Sequence, residues 1–183
     1  MKKILFIFLA GFIAAAGITS CKKVVNAIFP GLDITVPSAE LGVPVMPFVL
    51  PMELGFPSYT QSFNLDSTIK ANTGGAFGAG SVSSVKIKSI TMTISNADDN
   101  NNWSNFESAR FMLSSDTKQD PVELFSYTFP TTNTTTVTIT PTNSPELLPY
   151  LKGKELVYQV FGKGRKTTSK PLTIVVSTVM RVK

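Results

Sequence analysis

Between positions 172 and 183, Leu172, Ile174, Val176, Thr178, Met180 and Val182 alternate with Thr173, Val175, Ser177, Val179, Arg181 and Lys183. Successive side chains of a strand point to opposite faces, whereas a helix groups residues three or four apart, so this order admits a strand and no helix. One of its faces is strongly apolar and has to be covered by a second layer.

Shorter runs repeat the period. Val137 and Ile139 sit between threonines, and 109–113, 122–129 and 156–161 behave alike, with 59–65 a weaker candidate. In 85–95 the apolar phase slips from Val85 and Ile87 to Ile90, Met92 and Ile94, which predicts a β-bulge at Lys88 or Ser89. Turn-forming residues fill the gaps: glycines at 74–80 and 162–164, Asn and Asp at 96–102, and polar stretches at 116–120 and 131–135. Short strands with frequent turns predict an all-β chain, an antiparallel β-sandwich, immunoglobulin-like in general architecture, over 58–183. One short helix is expected, with Ser144 as N-cap, Pro145 in its first turn and Gly153 beyond its end.

The stretch 22–57 carries Pro30, Pro37, Pro44, Pro47, Pro51 and Pro57, a spacing that forbids a helix. It is also rich in apolar residues, among them Val43, Val45, Met46, Phe48, Val49, Leu50 and Phe56. The expectation over 21–57 is a short tether and then an irregular extended segment that packs on the sheet or forms an edge strand; the alternative is a partner surface.

Lys2 and Lys3, the apolar run 4–18, and Gly17 and Ser20 before Cys21 have the order of a secretory leader over residues 1–20. The run is about 15 residues, short of the roughly 20 a membrane-spanning helix needs. Ile18-Thr19-Ser20-Cys21 resembles the lipobox of bacterial lipoproteins, which implies a lipidated Cys21 holding the chain to a membrane, in the cell envelope and with the outer membrane favoured. Cys21 is the sole cysteine. The stretch 90–96 (ITMTISN), then Pro149-Tyr150-Leu151-Lys152-Gly153, then the alternating strand, also resemble small lipoproteins of Bacteroidota. Lys22 and Lys23 follow the cysteine where surface-exported members carry acids, which leaves the periplasmic and outer faces both open.

Chemistry is constrained by what is missing. Without histidine there is no His-based triad, His-ligated zinc or imidazole shuttle. The residues 96–102 are oxygen-rich but match no calcium motif and read as a solvated loop, so neither metal nor cofactor is expected. No pair of carboxylates stands out for hydrolysis, and an enzyme is not expected. Trp103 is the candidate aromatic contact for a sugar ring, against an inward-packed role. Lys163, Arg165, Lys166 and Lys170 gather near one turn and are the candidate contact for an anionic partner, against a solubilising loop. The net charge is too mild to imply nucleic acid. These residues point to a binding module for another envelope protein or a glycan, with a structural or adhesin subunit, joined through edge strands, as the alternative.

Overall fold

A computed structural model describes residues 29, 31–49 and 52–183. The unit from Leu32 to Lys183 holds two antiparallel sheets. The first has the order β1 (Leu32–Val43), β9 (Leu172–Val182), β4 (Val85–Ile94), β7 (Thr136–Ile139). The second has the order β2 (Leu54–Gly55), β8 (Glu155–Gly164), β5 (Phe106–Ser115), β6 (Val122–Thr128), and β3 (Tyr59–Ser62) also pairs with β8. The expected antiparallel sandwich is therefore the fold.

The period-two runs became the central strands, because a strand paired on both sides has its inner face sealed. On β9 Leu172, Ile174, Met180 and Val182 are buried, and on β4 Val85, Ile87, Ile90, Met92 and Ile94. Each such side chain contributes about 1.5–3 kcal/mol by leaving water. The β4–β9 register shifts between Ile87 and Ser89, where the bulge was expected. Absorbing the extra residue there puts Ile87 and Ile90 on one face, and Lys88 reaches out to Asp33.

The domain starts earlier than position 58. β1 pairs with β9 from Leu32 to Val43, and buries Ile34, Val36, Ala39 and Val43. Pro37 sits at the register shift between Val36 and Ala39, where the ladder can do without its missing N–H. Its carbonyl accepts a hydrogen bond from the Gln61 amide nitrogen at 2.7 Å.

The helix is elsewhere. Ser144 Oγ accepts the Ile87 N–H at 2.7 Å, while the Glu146 carboxylate accepts from Ser84 Oγ and the Val85 N–H. The expected N-cap Ser144 and the nearby Glu146 thus both serve the start of β4. After Pro149 the segment makes a single 3-10 turn, Tyr150–Lys152. Among the described residues the α-helix is α1 (Leu65–Asn72), begun by Asn64, whose side chain accepts from the Ser67 N–H. It buries Leu65 and Ile69 and is followed by Gly74 and Gly75 at φ +60 and +83, a region open to glycine. Among the described residues no helix is long and apolar enough to cross a membrane.

Candidate functional site

Cys21 and the leader lie outside the described residues. Trp103 does not present its ring to solvent: it is 1% exposed, stacks on Phe129 with centroids 4.4 Å apart, and donates from Nε1 to the Thr135 carbonyl. Phe106 tilts against it at 5.6 Å. A sugar ring has no free face to stack on, because the inward ring is worth more in the core than in water.

The basic cluster is also largely committed within the fold. Lys163 pairs with Glu107 at 2.8 Å and Lys170 with Asp98 at 2.6 Å. Arg165 donates to the carbonyls of Ser104, Pro130 and Phe129, making its guanidinium a backbone clamp. Lys166 is exposed and has no ion pair among the described residues.

Beneath these charges the Asn-rich loop is solvated as expected at Asn96 and at Asp98, Asp99 and Asn100, and turns inward only at its end. Asn101, Asn102, Ser104 and Asn105 are each 1–2% exposed. Asn105 Nδ2 donates to the carbonyls of Asn100 and Thr167, Asn101 Nδ2 to Asp98 and Ser169 Oγ, and Asn102 and Asn105 cap each other's backbone. The Asn-rich stretch is thus a polar joint between the loops before β5 and after β8. The Lys170 ammonium, and after it the Asn101 amide, hold the Asp98 carboxyl down to about 2. No cluster of metal-ligating side chains occurs among the described residues. A shallow polar hollow of about 280 Å³ lies over the joint, with Asp99, Asn100, Lys166, Thr167 and Ser169 in its wall.

The more developed concavity is apolar. A cleft of about 140 Å³ opens between the sheets, with Leu41, Trp103, Phe106, Phe111, Phe129 and Val160 among its walls and exposed Glu40 and Ser58 at its open side. Gly162 of β8 lies in its wall and makes room for the Phe56 ring, which a Cβ there would meet at 2.7 Å. The sequence places Gly162 in a turn, whereas it lies inside β8, where a glycine marks close approach.

Val43 and Phe56, both in the wall of the cleft, bracket a strap whose described residues are 44–49 and 52–55. Met46 is buried and joined to Thr168 by two hydrogen bonds, and Glu53 pairs with Arg110 at 2.8 Å. Between and beside these two fastenings Val45, Phe48, Val49, Met52 and Leu54 stay exposed, Phe48 and Met52 at 64% each.

No family model and no curated relative matches the sequence. Among solved structures the chain is similar to the family 32 carbohydrate-binding module of C. perfringens NanJ in complex with galactose, with TM-score 0.38, 8% identity, and coverage of 80% of this chain and 99% of that one. It is similar to the decameric BFDV capsid protein at TM-score 0.33 and 9% identity, covering 84% and 98%. A protein of the Israeli acute paralysis virus particle gives TM-score 0.31 and 14% identity, covering 87% and 74%.

Proposed function

We propose that this chain is a lipid-anchored, non-catalytic binding module of the bacterial cell envelope, held to the membrane through Cys21 and engaging another envelope protein through the strap and the cleft beside it. One observation carries the reading: five large apolar side chains stay exposed on a strap fastened at Met46 and Glu53, next to an apolar cleft. Large exposed apolar side chains gathered in one place mark interaction sites, and fastening the strap lowers the ordering cost of binding.

The test is cross-linking and co-purification from native membranes. Phe48→Ser with Met52→Ser should lose the partner recovered with the parent while leaving the melting temperature unchanged, since both side chains are exposed in the free protein. Equal recovery with both proteins would sink the strap as the binding surface.

A second reading is a glycan in the polar hollow, where hydroxyls, amides, the Asp99 carboxylate and the Lys166 ammonium come together. Lys166→Ala with Asp99→Ala would then abolish glycan retention and leave strap-dependent capture intact.

A further inference from the structure

The side-chain oxygen of Gln61 is buried without a hydrogen-bond partner among the described residues. Gln61 is 8% exposed, and its amide nitrogen is fixed on the Pro37 carbonyl, which can only accept. The amide cannot be turned over without setting two acceptors against each other, so the oxygen side is the one left over. Such an orphan acceptor is costly, and a native structure keeps one where a ligand or water completes it.

The space around Gln61 has room for one oxygen-sized group, about 20 Å³, with Thr178 and Tyr158 also in its wall. It adjoins the larger cleft, and the two share Leu41, Phe111 and Val160. The larger compartment, at about 140 Å³, is close to the ~150 Å³ of an apolar protein cavity that takes up benzene. Trp103, Phe106, Phe111 and Phe129 are among its walls, and a lining this aromatic favours an aromatic guest over an alkyl one of equal area.

We infer that the cleft is a socket for a phenol ring, the side chain of a partner's tyrosine, with the ring between the sheets and its hydroxyl donating to Gln61 Oε1. This rests on the binding-module reading and names the chemistry of its anchor. Tyrosine suits the role, being a rigid, mostly apolar body with one donor at its tip.

Trp103 is the single tryptophan and lies in the wall of the cleft, so its emission and its indole N–H resonance report occupancy directly. The full-length chain is titrated with p-cresol and with toluene, and with N-acetyltyrosinamide and its phenylalanine counterpart. Each phenol should shift the Trp103 signals saturably and bind on the order of fivefold to tenfold more tightly than its hydroxyl-free partner. Gln61→Met should erase that preference and keep the toluene response. Ala109→Leu should fill the cleft and remove all responses, with Val160→Phe as the second filling variant and a thermal melt checking that each folds.

A phenol preference that is absent, or that survives Gln61→Met, overturns the hydrogen bond to Gln61. A response that survives both filling variants, or the lack of any saturable response, overturns the socket. Binding of p-cresol without binding of N-acetyltyrosinamide overturns the partner tyrosine. Loss of the socket with strap-dependent capture intact would leave the binding module standing, whereas a working socket without such capture would overturn the strap alone.

Discussion

The guanidinium of Arg165 donates to the carbonyl of Phe129 at 3.0 Å, on the residue whose ring stacks on Trp103. A cation in a lysine-rich turn and an aromatic next to a strand thus belong to one internal assembly: Arg165 ties the Ser104 and Phe129 backbones together while the two rings seal the core beneath.

Arg165→Lys is expected to destabilise the domain by roughly 2 kcal/mol, because a single ammonium cannot reproduce the fork that reaches three carbonyls. Lys163→Ala and Lys166→Ala should each change stability by less than about 0.5 kcal/mol, since these side chains are on the surface. Thermal unfolding of the three variants separates the clamp from the charges around it; an Arg165→Lys variant as stable as the parent would refute the clamp.

Acid should act through carboxylates. Asp98 titrates at about 2 in the fold against an ordinary 3.8, held down first by Lys170 and then by Asn101. The folded value is the lower one, so this contribution is complete above pH ~4 and disappears as pH falls toward about 2. Asp33 and Asp66, held low chiefly by hydrogen bonds from Lys88 and Lys70, act in the same direction. With no histidine in the chain, stability should be flat from about pH 5 to 8. A chemical-denaturation series against pH checks this, and Asp98→Asn should remove part of the acid slope.

Gly162→Ala brings a methyl group to 2.7 Å from Phe56 Cε2 and must displace that ring. The expected cost is about 1–2 kcal/mol together with a changed cleft mouth. Unfolding curves give the first, and the Trp103 response to p-cresol gives the second.

Cys21→Ser should abolish incorporation of labelled fatty acid and leave a full-length precursor, because a hydroxyl does not replace the thiolate that accepts the lipid. Equal labelling of variant and parent would remove the anchor from the proposed function.

The sandwich and the bulge in β4 were legible in the sequence because both are local. Alternation of side chains along Leu172–Val182, and its phase slip between Ile87 and Ser89, depend on neighbours two residues away. The helix expected after Ser144 does not begin there for a related reason: Ser144 is a sound N-cap, but the N–H it accepts is that of Ile87 in β4, 57 positions away, and Glu146 accepts the Val85 N–H across 61. Only the tertiary structure decided which charges would be surface and which structural. Arg165 meets Phe129 across 36 positions, and Asn105 meets Thr167 across 62. Nothing in the composition of a lysine-rich turn says that carbonyls will converge beneath it. The orphan oxygen of Gln61 is of the same kind, since it follows from where Pro37 breaks the edge of one sheet and leaves its carbonyl facing a residue of the other. Period and turn chemistry are properties of adjacent residues, whereas the partner of a polar group is settled by which loops close against each other once the apolar faces are buried.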